Sequence, residues 1–204
     1  AIPVPNIASP AAHLMNRRAK SSRSGRRAVD DMGTYRTETL VLHGGRTALL
    51  EIRALGLFEG ELREAVIGLK YRNERRQAQV LAGLMSSILP TSTDVITWAP
   101  TSAQRMRERG FDQAELLARH LAAHAGVPWS RLLRRLDGAG QTGRTRAQRL
   151  AAPRFVAAPS TVGRNVCVVD DVVTTGATIR AAAGALLVAS AVSVCGACVA
   201  TVNS

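Results

Sequence analysis

Two adjacent carboxylates, Asp170 and Asp171, stand between an apolar run and a glycine ringed by threonines in the stretch CVVDDVVTTGATIR, from Cys167 to Arg180. Neighbouring carboxylates suit neighbouring hydroxyls, because each oxygen accepts a strong hydrogen bond and a ribose ring presents its 2′ and 3′ hydroxyls as such a pair. The residues that follow are Thr174, Thr175, Gly176, Ala177 and Thr178. They would set backbone N–H groups and hydroxyls around a phosphate at a helix N-terminus, with Gly176 letting the backbone come close. A diol clamp and a phosphate cradle in one line of sequence describe a ribose 5-phosphate site. A capped helix after a buried strand needs one such polar residue, not two carboxylates and three threonines. The competing phosphate motifs are absent: there is no GxxxxGK[ST], and no GxGxxG opens a helix after a strand.

The elements that must position these groups are legible around them. NVCVVD, from Asn165, is a continuous apolar run typical of a strand covered on both faces, and Ile179, Ala183, Leu186 and Leu187 then recur at helical spacing. VSVCGACVAT closes the chain with another buried strand. Upstream, TALLEIRALG from Thr47 puts Leu50, Ile52 and Ala54 on one side and Glu51 and Arg53 on the other, the pattern of a strand with one wet face. Leu62, Val66 and Leu69 mark one helix, and Ala78, Leu81, Met85 and Ile88 a second. DVITWAP, from Asp94 to Pro100, reads as a short buried strand stopped by proline, and Gln113 to Ala125 as a helix ending near Gly126 and Pro128. Strands alternating with helices predict an α/β fold with a mainly parallel sheet flanked by helices. In such a sheet ligands bind beyond the carboxyl ends of strands, which places the aspartates on the rim of a crevice.

Composition bounds the rest. Aromatic residues make up 3% of the 204, so the core is built from Ala, Val, Leu and Ile, and the formal charge of +12 favours polyanionic partners: nucleic acid, a phosphorylated metabolite or an anionic membrane surface. Apolar runs never reach the ~18 residues of a membrane span. Residues 1–36 are rich in Pro, Ser and Arg, carry the run RRAKSSRSGRR, and are expected to form a disordered basic arm. The arm lacks the ordered regions of a secretory signal, so a cytoplasmic location is expected. The glycine-rich, basic stretch at 137–149 reads as a mobile loop. Cys167, Cys195 and Cys198 lie in apolar runs and are expected as buried thiols, and His120 and His124 lack the glutamate of an HExxH motif, so no metal site from Cys or His is expected.

DDVVTTGAT resembles the signature of type I phosphoribosyltransferases, and further landmarks are similar to one branch, the ComF family associated with competence and DNA uptake in bacteria. These are FEGELREAVIGLKYRNE from Phe58, RERGFDQAELLARHLA from Arg107, and Gln141 followed by Arg149 and Phe155. The resemblance covers about residues 55–202. It departs from the family in three places: no four-cysteine N-terminal segment is present, Asp112 stands where asparagine is preferred, and Ala152 stands in place of another asparagine.

What the resemblance implies is a Rossmann-like phosphoribosyltransferase domain over residues 37–204, with a small hood at about 37–60 and a site for phosphoribosyl pyrophosphate with Mg²⁺. Pyrophosphate is a dense anion that needs N–H groups and cations, and the segment PTSAQRMRERG supplies both. By resemblance, Thr101 and Ser102 would hold pyrophosphate, with Arg105, Arg107 and Arg109 in reach; Lys70 also matches the family, and Gln141 and Arg149 would be contacts on a closing loop. The expected function is a phosphoribosyltransferase of unnamed acceptor linked to competence. The alternative is a non-catalytic accessory of DNA uptake that binds competence proteins or single-stranded DNA, although the scarcity of aromatics weakens any stacking platform.

Overall fold

The computed structural model describes residues 33–71, 75–136 and 152–202. A five-stranded sheet forms its centre, in the order β1-β2-β7-β6-β3, where β1 is Thr34–Val41, β2 Thr47–Ala54, β3 Val95–Trp98, β6 Asn165–Val173 and β7 Ser193–Thr201. β1 pairs antiparallel with β2, and the β2–β7, β7–β6 and β6–β3 pairs are parallel. The fold is therefore α/β, with a mainly parallel sheet and one antiparallel edge strand.

Period-2 alternation in the strands sends side chains to two separate cores. On one face Ile96, Trp98, Cys167, Val169, Ala197 and Val199 pack with helices α1 (Gly60–Tyr71), α2 (Arg75–Met85) and α4 (Gln113–Ala125). On the other, Leu50, Ile52, Ala54, Val166, Val168 and Cys198 pack beneath helix α5 (Ala177–Val188). The strand expected from TALLEIRALG is β2, with Leu50, Ile52 and Ala54 buried as its pattern requires. The three cysteines carry no disulfide; Cys167 and Cys198 are buried and Cys195 is half-buried. Among the described residues no helix is long and apolar enough to cross a membrane.

One expectation changes, and two further elements appear. The arm cannot extend to Arg36, because β1 begins at Thr34 and pairs with Ala54 across the hairpin. The segment after β3 contains a helix: Ala103–Arg109 forms the short α3, with Ser102 as its N-cap accepting from the Arg105 N–H at 3.3 Å and Gly110 closing it in the left-handed conformation. A second, two-stranded sheet, β4 (Leu133–Leu136) with β5 (Arg154–Ala157), flanks the expected mobile stretch at 137–149, which itself lies outside the described residues.

Candidate functional site

The cleft arises from a difference in strand length. β3 ends at Trp98, opposite Val169 of β6, and the Ala99 N–H makes one last bond to the Val169 carbonyl at 3.1 Å before the chain turns away. β6 continues to Val173, held only on its other side by β7, with Asp170 opposite Cys198 and Val172 opposite Ala200. The aspartates thus stand where β6 has lost one neighbour, rather than at the strand's last residue. Here the sheet opens into a polar cavity of about 190 Å³.

Lining this cavity are Asp170, Asp171 and Thr178 from the β6–α5 unit, Pro100, Thr101, Arg105 and Arg109 from the segment after β3, Lys70 from α1, Asp112 and Gln113 from the start of α4, and Arg135 from β4. Lys70 Nζ lies 2.9 Å from Asp171 Oδ2. Asp170 Oδ1 accepts the Asp171 N–H at 2.8 Å. The Asp170 carboxyl is pushed up to about 8, first by burial and then by the Asp171 charge beside it, while the Asp171 N–H and Lys70 pull it down. Asp170 is half-buried and lines the cleft.

Asp112 sets the position of the Thr101 segment. Its Oδ1 caps α4 by accepting from the N–H groups of Ala114 at 3.0 Å and Glu115 at 3.4 Å, and its Oδ2 accepts the Thr101 N–H at 2.9 Å. Burial raises its pKa, opposed by the three backbone hydrogen bonds. An asparagine could cap the helix through its one side-chain oxygen; the carboxylate has a second oxygen with which to tie down the segment after β3.

Gln113 is 2% exposed. Its Oε1 accepts from Arg109 Nη1 at 3.0 Å, and its Nε2 has no hydrogen-bond partner among the described residues. A buried amide left with spare donors beside a polar cavity is costly unless something accepts from it. Arg135 donates to the Pro100 carbonyl at 3.3 Å, and its guanidinium lies 5.9 Å from the Phe155 ring centroid.

Of the residues singled out in the sequence, Lys70, Thr101, Arg105, Arg109, Asp170, Asp171 and Thr178 share this one cavity. Ser102 is spent on capping α3, and Arg107 is exposed and outside the lining. In the phosphate-type loop Thr174 and Thr175 are exposed, Gly176 is buried with φ of 78°, and Thr175 Oγ1 accepts the Ala177 N–H at 3.4 Å. Gln141 and Arg149 lie outside the described residues. Sequence reasoning missed Asp112, Gln113 and Arg135 as cavity residues. The first two had a usable signal, an acidic cap followed by a polar residue on the first turn of an otherwise apolar helix face. Arg135 had none, because it reaches the cleft through a hairpin with no strong strand pattern.

The α/β fold with a mainly parallel sheet flanked by helices is the one the sequence predicts, and its Asp-Asp strand runs into the threonine–glycine loop and then a helix. Among curated proteins the chain is similar to "Competence protein ComFC" of Bacillus subtilis (strain 168), at 29% identity over 145 residues, and this bears out the ComF-family resemblance. The match covers 68% of the chain and 59% of that relative, so the chain spans under two thirds of its length. No family model matches. Two solved structures are similar over part of the chain: the allosteric regulatory enzyme of purine biosynthesis (23% identity, TM-score 0.44, 59% of this chain and 25% of that one) and the glutamine phosphoribosylpyrophosphate amidotransferase of B. subtilis complexed with ADP and GMP (22% identity, TM-score 0.44, 58% and 25%).

Proposed function

We propose that the cleft binds phosphoribosyl pyrophosphate with Mg²⁺ and that the protein is a phosphoribosyltransferase linked to competence. The observation that carries this is the convergence, in one polar cavity, of a paired carboxylate, the last threonine of a phosphate-type loop and cations from three further segments. Asp170 and Asp171 accept hydrogen bonds from the ribose hydroxyls, and the Thr174–Thr178 N–H groups receive the 5′-phosphate at the start of α5. Arg105, Arg109, Arg135 and Lys70 face the pyrophosphate, and Gln113 Nε2, which has no hydrogen-bond partner among the described residues, donates to it.

The donor set fits Mg²⁺. Asp170 and Asp171 stand side by side in the cavity lining, and Mg²⁺ keeps several waters while taking one or two carboxylates together with phosphate oxygens; the two aspartates would hold it, and when bound it would neutralise charge on the pyrophosphate. The chain's own residues do the rest. Departure of pyrophosphate builds positive charge on the sugar and negative charge on the leaving group, so fixed carboxylates near the ribose and fixed cations near the leaving group lower the barrier without a protein nucleophile. Incubation with labelled phosphoribosyl pyrophosphate, Mg²⁺ and a pool of bases tests this through base-dependent pyrophosphate release. No release with any base would leave a binding protein and not a transferase.

The second reading, an accessory that contacts DNA or competence proteins, is favoured by the similarity to a competence protein and by the charge of +12. Backbone-directed binding of this kind fades steeply with salt.

A further inference from the structure

The phosphate-type loop carries no cation of its own between Thr174 and Thr178, yet two guanidinium groups from outside it converge on Gly176. A Cβ built on Gly176 would collide with Arg36 Nη2 and lie 3.1 Å from Arg180 Nη1. Arg36 comes from β1, the edge strand of the hood hairpin, and Arg180 from the first turn of α5. Glu38 bridges them: Oε1 is 2.7 Å from Arg36 Nε, and Oε2 is 3.0 Å from Arg180 Nη1. Arg180 Nη1 also donates to the Thr175 carbonyl at 2.7 Å, which pins the loop. Arg36 Nη2 is buried and has no hydrogen-bond partner among the described residues.

We propose that Arg36, from the hood hairpin, and Arg180, from α5, form a two-arginine clamp that receives the terminal phosphate of a sugar phosphate over Gly176, at the donors that the Glu38 carboxylate now engages. This rests on the ribose-phosphate reading of the cleft. A phosphate monoester offers three acceptor oxygens to the donors that a single carboxylate now shares, and the spare Arg36 Nη2 gains the partner it lacks. Gly176 is needed for two reasons: its φ of 78° suits glycine, and any side chain would fill the space the guanidinium occupies. The clamp also gives the hood a function that the antiparallel pairing of β1 with β2 does not explain by itself.

The test is calorimetric titration of the full chain with ribose 5-phosphate and, separately, with inorganic pyrophosphate, for the parent and for Arg36→Met, Arg180→Met and Glu38→Gln. Loss of a charge-assisted bond predicts roughly tenfold or greater weakening of ribose 5-phosphate binding in each arginine variant. Glu38→Gln removes the competing charge and is expected to tighten binding about two- to fivefold. Pyrophosphate affinity should be unchanged throughout, because the cations assigned to that anion, Arg105, Arg109, Arg135 and Lys70, line the cleft and none of the three substituted residues does. Opposite signs separate the clamp from a merely structural latch, which would weaken binding or lower the melting point in all three variants. Parent-like binding of ribose 5-phosphate by Arg36→Met, or weakened binding by Glu38→Gln, overturns the clamp while leaving the cleft intact. A parent that binds pyrophosphate but no ribose 5-phosphate, or neither, overturns the clamp together with the ribose-phosphate reading.

Discussion

Asp170 holds a proton that an unfolded aspartate would release: its pKa rises from 3.8 to about 8, with burial the larger cause and the Asp171 charge the second. The folded state therefore binds the proton more tightly, so the stability this group contributes is fully present below 3.8 and is lost as pH rises towards about 8. Melting temperatures of the unliganded protein should fall across that window, and Asp170→Asn should flatten the fall. The same shift acts on binding. A diol is best accepted by the ionised pair, so taking up the ligand at pH 7 should release a proton, seen as a dependence of binding heat on the ionisation heat of the buffer. Replacing both carboxylates, with Asp170→Asn and Asp171→Asn together, should abolish ligand binding and leave the fold intact, because these groups line the rim and not the apolar core; circular dichroism and calorimetry on one sample check both halves.

At the scale of elements, the site depends on the start of α4 as much as on β6. Asp112→Ala removes a helix cap and the tether of the Thr101 segment, and is expected to cost about 1–2 kcal/mol in a denaturant titration, whereas Asp112→Asn should keep most of the cap. Packing of α5 on β7 is equally tight: a Cβ at Gly196 would stand 2.8 Å from Ile179 Cγ2, so Gly196→Ala should destabilise by roughly 1–3 kcal/mol through overpacking. These two contacts also show what a linear reading can reach. The strands of the centre and the helix Gln113–Ala125 were legible because apolar periodicity and caps are local signals, and the Asp-Asp and threonine–glycine run was legible because its chemistry lies in nine consecutive residues. β1 was not, since TYRTETLV alternates polar residues with few large apolar ones and gains its order from pairing with β2. The α3 helix was masked by its charge, and the convergence of Lys70, Gln113 and Arg135 depends on contacts between segments far apart in the chain, which no spacing rule encodes.

Over the whole molecule, charge and cleft make separable claims. Removing residues 1–32 deletes Arg17, Arg18, Lys20, Arg23, Arg26 and Arg27 against Asp30 and Asp31 while sparing β1. Nonspecific DNA affinity should therefore drop, with a shallower slope of log affinity against log salt, in a filter-binding or anisotropy series at matched salt. Unchanged affinity and slope would assign DNA contact to the folded domain or show none by the arm. The central claim concerns the cleft, and calorimetric titration of phosphoribosyl pyrophosphate with Mg²⁺, joined to a melting scan, tests it most directly. A ligand bound only by the native state stabilises by about 2.7 kcal/mol at a hundredfold excess over its dissociation constant. The account predicts binding heat and a raised melting temperature for the parent, and neither for the double aspartate variant; a parent with no heat and no shift at millimolar ligand, or a double variant that binds as the parent does, would contradict it.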